Sequence, residues 1–585
     1  MKMSRSIPLL FACAIALAGC AAEPSQPATA DVEPPHPRVV VRPQEPPEPP
    51  QALPPQALTP EILFKVLLAE IALQRGQQNI AVQAYLDLAR DTRDPRVAQR
   101  AAVVAWNAHV TDAALEAATL WLQEDPASTQ ARQVLATLLI GQSQLAAARP
   151  QMEQLLAADK ANIGSVFLWL NTLLARYPDK AAALQFVRQL AAPYPEVPEA
   201  HYAAARAAWD AEQSESALTE VRAALKLRPD WEQAALLQGQ VLQHSSDDAA
   251  IAYFQQYLAA YPRAVDARLG YARLLVKAQK FDAARDEFQK LLQEFPDNAQ
   301  VSMAVALLSL QLHDYDAAET QLKHVLDTDY RDPDTVRLYL GQLAEERERY
   351  DEALKWYAGV TAGDQYVSAQ ARYAGVLIKQ GKLPEARKYL HNLQAQAHDE
   401  QQRVQLIQAE AGLLSEAKQY NQAYEVLDHA LQKTPDSTEL LYEHAMMAEK
   451  LDRIDVLEAN LRRAIQIKPD YAHAYNALGY TFADRNTRLP EAYTLIERAL
   501  KLAPDDPFII DSMGWVLYRM GKNEESLGYL KRAFDLRPDP EIAAHLGEVL
   551  WSSGQRDAAR KVWNTALQDD PDNTVLTATV KKFTP

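Results

Sequence analysis

Reactive side chains are few in this chain and placed where little chemistry can use them. The only thiols, Cys13 and Cys20, both lie in the first twenty residues, so the remainder has neither a disulfide framework nor a thiolate metal site. Twelve histidines are scattered with no His-x3-His or His-Glu-x-x-His spacing that would bring two imidazoles to one metal. No Gly-x-Ser-x-Gly elbow and no glycine-rich phosphate loop occurs. Glu345, Glu346 and Glu348 form an acidic run, read here as a solvated helix face and not as paired catalytic carboxylates. The sequence therefore argues against an enzyme: no catalytic residue, cofactor, metal or small-molecule substrate is expected. A formal net charge of −17, with no basic stripe to reverse it, argues against nucleic acid as a partner.

Cys20 has a chemistry of its own. Lys2 and Arg5 precede a short apolar run, Ile7 to Leu17, long enough for a secretory signal and too short to span a bilayer. Leu17-Ala18-Gly19-Cys20 resembles the bacterial lipobox. The resemblance implies cleavage of residues 1–19 and attachment of diacylglycerol to the Cys20 thiol. Two or more acyl chains make such an anchor stable. Ala21 at the next position implies the outer membrane, with the protein facing the periplasm. Between Ala21 and Pro60 stand thirteen prolines and no glycine, so residues 20–58 are expected to be a disordered, polyproline-like stalk. At ~3.1 Å per residue it could reach on the order of 120 Å.

Beyond the stalk the chain must be helical and repetitive. A small residue returns every 33 to 37 positions: Ala81, Ala114, Ala148, Ala183, Ala217, Ala250, Ala284, Ala318, Ala353, Ala386 and Ala423, then Ala492 and Ala559, with Leu457 and Ser526 filling two slots on the same beat. Prolines keep the same time at 229, 262, 296, 435, 469, 504, 538 and 571. A period near 34 built from two helical stretches marks a helix-turn-helix solenoid, whose product is an extended surface. Thr59 and Pro60 suit the N-cap and first position of the opening helix.

The units resemble the tetratricopeptide repeat (TPR), in which small residues let paired helices approach and proline ends the second helix. The best match runs from Pro540 through Leu546-Gly547, Gly554, Ala559, Trp563, Ala566 and Pro571. The resemblance implies an all-α, TPR-type solenoid forming an open superhelix. Residues 59–200 are read as degenerate repeats, 201–571 as the TPR solenoid, and 572–585 as a closing cap with a short helix over Asn573 to Phe583. The wider spacing from Ala386 to Ala423 predicts a longer turn or hinge near His391 to Arg403.

In TPR arrays, certain positions of each first helix line an inner groove. Mapped here they are His473, Asn476 and Tyr480, then Phe508, Asp511, Trp515 and Tyr518, then Glu548 and Trp551. Trp and Tyr dominate protein-binding hot spots, although the same rings can simply pack between helices. The carboxylate clamp of chaperone-binding TPR domains is not matched, since Asn476, Asp511 and Ala544 hold the relevant position. The opening helix, with Ile62, Phe64, Leu67 and Leu68, is apolar beyond what one contact face needs. It either folds into the array or docks on a partner.

Leu68-Ala69-Glu70-Ile71-Ala72, Gln74-Arg75-Gly76 and Thr92-Arg93-Asp94-Pro95-Arg96-Val97-Ala98, taken with the lipobox and the repeats, resemble the large proteobacterial TPR lipoproteins typified by LbcA. That resemblance implies an outer-membrane adaptor for a periplasmic carboxyl-terminal processing protease, which degrades cell-wall hydrolases. The competing expectation is a scaffold for exopolysaccharide secretion or pilus assembly.

Overall fold

The structure, a computed structural model, describes residues 57–158 and 160–584. The expected signal peptide, Cys20 and nearly all of the expected proline-rich stalk lie outside the described residues. Among the described residues there are 31 α-helices, from Pro60–Gln74 to Thr574–Phe583, and no strand. Contacts divide the chain into two compact units, Met1–Tyr330 and Arg331–Pro585. In its described part the first unit holds eight antiparallel helix pairs, and the second holds seven pairs and a closing helix.

The beat residues set this packing. All fifteen fall at the fourth position of a second helix, and each is at most 3 % exposed. A small side chain there lets the paired helix approach, and the resulting core is spread along the stack instead of being gathered at one centre. Glycines on the facing helix serve the same end. A Cβ at Gly341 would overlap the Tyr357 ring, and one at Gly547 would overlap the Trp563 indole.

The turns inside the pairs are equally regular. The second residue after the first helix is left-handed: His109, Gln279, His313, Lys418 and Asp452, or glycine at Gly381, Gly521 and Gly554. The next amide then bonds five residues back, as in Val110 to Ala105, Lys280 to Leu275 and Lys522 to Leu517. This is the Schellman termination, and it satisfies carbonyls that a helix end otherwise leaves open. N-caps work at the other end: Thr59 accepts from Ile62 N at 3.3 Å, and Asn573 accepts from Leu576 N at 3.0 Å to start the closing helix.

Two local expectations need correction. The stretch near His391 to Arg403 is not a long turn. Helices Leu383–Gln396 and Glu400–Glu416 are separated by three residues, and the surplus has gone into the second of them, which has 17 residues. Arg403 Nε bonds to Gln394 O, and Gln394 Nε2 reaches Glu410 Oε2 at 2.9 Å, so the junction is tied down. Nor is the acidic run uniformly solvated. Glu346 and Glu348 are exposed, but Glu345 is buried, with Tyr357 Oη donating to it at 2.6 Å and Lys379 Nζ at 2.8 Å. Glu345 lies on the seam side of its helix, where the next pair supplies cations.

Candidate protein-binding surfaces

The mapped groove residues lie on the first helices of three successive pairs in the second unit: Ala472–Asp484, Pro507–Arg519 and Pro540–Ser552. Every residue from Ile509 to Leu517 and from Ile542 to Leu550 is buried. These helices are covered by their neighbours on almost every side.

At the centre is His545. Its Nδ1 pairs with Asp511 Oδ2 at 2.8 Å, its ring stacks on Trp515 with centroids 4.2 Å apart, and Tyr480 Oη lies 3.4 Å from Nε2. One imidazole thus joins three consecutive pairs, reaching 65 residues back along the chain. Burial works against a charge on this ring, but Asp511, with Asp484 and Glu541 further off, outweighs it and raises the pKa above 6.5. The Tyr480 hydroxyl is pushed well above its ordinary value by burial.

Towards the C-terminus the cluster continues. Tyr518 Oη meets Ser552 Oγ at 2.9 Å, and Lys582 of the closing helix pairs with Glu548 at 3.1 Å. Trp551 stacks on Trp563 at 5.8 Å and meets Phe583 at 6.2 Å, with Arg556 and Arg560 over its ring.

Exposure separates the nine groove candidates. His473 and Phe508 are open to solvent; Asn476, Tyr480, Tyr518 and Trp551 are half-buried; Asp511, Trp515 and Glu548 are buried. Trp515 is therefore not offered to a partner as a free aromatic face, because His545 occupies that face. His545 sits one position off the mapped groove set, so repeat numbering did not single it out.

Open aromatic surface occurs also in the first unit. Val103 and Trp106, three apart on helix Pro95–Asn107, are 44 % and 41 % exposed. Counting back from Ala114 places them at the same inner positions as Trp515 and Tyr518, a signal present in the sequence. On helix Pro60–Gln74, Ile62 is half-buried, whereas Phe64, Leu67 and Leu68 are exposed. Among the described residues no cluster of His, Cys, Asp or Glu is placed to hold a metal, and no helix is long and apolar enough to cross a membrane.

Family models described as tetratricopeptide repeat match residues 248–308, and 202–256, 304–367 and 512–574. A Pseudomonas aeruginosa protein named as TPR repeat-containing is 38 % identical over 486 residues, which is 83 % of this chain and 82 % of that protein. Human protein arginine N-methyltransferase 9 is 35 % identical over 82 residues only, covering 14 % of this chain and 10 % of the enzyme. A solved thermophilic TPR protein of Thermus thermophilus covers 29 % of this chain and 94 % of its own, at 24 % identity and a TM-score of 0.28.

Proposed function

Because the chain belongs to the tetratricopeptide-repeat family, whose arrays are protein-interaction scaffolds, we propose that it is a membrane-anchored adaptor. It recruits a periplasmic carboxyl-terminal processing protease together with that protease's cell-wall hydrolase substrates. In this reading Cys20 carries the lipid, the proline-rich stalk spaces the array from the outer membrane, and the helix pairs hold protein partners. The observation that carries the scaffold is the unbroken register of fifteen buried beat residues from Ala81 to Ala559, with apolar and aromatic surface left open at Val103 and Trp106. Support for the finer reading is the block from Leu68 to Ala98 and the extended likeness to the Pseudomonas protein. The open groove positions His473 and Phe508, with the half-buried Asn476 and Tyr480, are proposed contacts. Trp515 and Asp511 act beneath them as supports.

Affinity capture of the full-length chain from detergent-solubilised envelope, read by mass spectrometry, tests this reading. A processing protease should co-purify in stoichiometric amount, and Cys20→Ser should shift the chain from the membrane to the soluble fraction. Capture of a secretion pore or polymer-synthesis protein in its place refutes the protease partnership and favours a scaffold for export.

A further inference from the structure

The first helix of the array, Pro60–Gln74, is packed on one side only, through Ala69 and Ala72. At ~100° per residue, its exposed apolar side chains span about 200° of the circumference, centred on Leu67. They are Leu63, Phe64, Val66, Leu67, Leu68 and Ile71, with Phe64 64 % and Leu67 51 % exposed. Taking ~180 Å² for a whole large apolar side chain, they leave on the order of 500 Å² uncovered. This is the upper range for the largest apolar patch on a monomer and more than half of the ~800 Å² per partner of a stable interface.

Three covers fail on physical grounds. Between Cys20 and Thr59 no proline-free run is longer than the six residues Ala28–Glu33, too short to lay a helix of the stalk over the ridge. A second copy meeting it through the same helix presents another convex ridge. One facing helix takes a stripe of ~100°, which is half the arc. Helices that lie on anionic bilayers present free cations beside the apolar face. Here Lys65 is held by Asp91 and by Glu61 at 3.5 Å, and Arg100 is held by Glu70 at 3.2 Å. With exposed Arg75 at the end of the helix, the cations Lys65, Arg75 and Arg100 balance Glu61, Glu70 and Asp91, so the ridge and its flanks carry no net charge.

We propose that helix Pro60–Gln74 is a knob received by an apolar, uncharged groove, walled on both sides, on a different protein chain. This is the helix-in-groove mode of recognition, run here from the end of a solenoid. Leu67 enters deepest, Val66 meets one wall and Leu68 the other.

The test places a photoreactive benzoylphenylalanine at Val66 or at Leu68 of the full-length chain in living cells. Adducts formed on irradiation are mapped by mass spectrometry. Both probes should react with one and the same protein other than this chain, at two stretches separated in its sequence. Leu67→Glu, at a half-exposed site, should abolish both adducts while circular dichroism and melting stay unchanged. Adducts with a second copy, with lipid, with residues 20–58 of the chain itself or with a single stretch of a partner each overturn the proposal, as does no adduct. A two-stretch adduct with a protein that is not a processing protease leaves the knob standing and removes the protease reading.

Discussion

Adding one methyl group at Gly547 tests the packing rule on which the whole array depends. Gly547 lies in helix Pro540–Ser552, and an added Cβ would overlap the indole of Trp563 on the paired helix. That indole is 1 % exposed and stacked between Trp551 and Phe583, with centroids at 5.8 and 6.0 Å, so it has no room to yield. Glycine to alanine within a helix normally gains ~1 kcal/mol, while overpacking a tight core costs about 1–3 kcal/mol. The clash should win, leaving Gly547→Ala destabilised by up to about 2 kcal/mol. Gly528, on the exposed face of helix Asn523–Leu536, has nothing within 4 Å of its added Cβ. Gly528→Ala should therefore stabilise by roughly 0.5–1 kcal/mol. Because a repeat array need not unfold in one step, the assay is hydrogen exchange resolved by segment. A loss of ~1.4 kcal/mol appears as about tenfold faster exchange. That acceleration should be confined to residues 540–583 in Gly547→Ala, and helix Asn523–Leu536 should slow in Gly528→Ala. If both variants slow exchange alike, Trp563 is not fixed over Gly547 and the reasoning fails.

The two buried histidines should answer pH in opposite senses. At His545 the pKa is raised, so its contribution is present below 6.5 and fades as pH climbs through the raised value. At His444 burial lowers the pKa, so stability there falls as pH drops below 6.5. Exchange of helices Pro540–Ser552 and Thr438–Lys450 between about pH 5.5 and about pH 8 should show the two trends, and His545→Asn should flatten only the first. Glu458, held by Arg488 and Arg462, should titrate at about 2 in carboxyl NMR and return towards the ordinary range in Arg488→Ala. The stability it contributes is present above pH 4.5 and lost as pH falls from there through about 2. Glu410 is 1 % exposed and bound by Arg387 at 3.1 Å, His391 at 3.0 Å and Gln394 at 2.9 Å. Arg387→Ala strands part of a buried charge and should cost about 2–3 kcal/mol in denaturant unfolding. Glu348 holds φ at 57° without being glycine, so Glu348→Gly should stabilise its turn by up to about 1 kcal/mol, seen as a higher melting temperature.

The recurring small residues, the capped first turn at Thr59 and the closing helix after Asn573 could all be read from residue order. Each is a local matter: a repeat packs on its immediate neighbours, so spacing along the chain is also spacing in the stack. Side-chain exposure is a different kind of quantity. Trp515 looks like a hot spot in its own repeat and is covered because His545 arrives from the next one. Val103 and Trp106 stay open because no such residue reaches them. Glu345 reads as part of a solvated run until Lys379 and Tyr357 are placed beside it. The apolar face of helix Pro60–Gln74 could be counted from sequence, but whether anything in the chain covers it could not. Periodicity decides which helices stack; only the three-dimensional arrangement decides which faces remain for something else, because burial sums over neighbours that sequence distance does not rank.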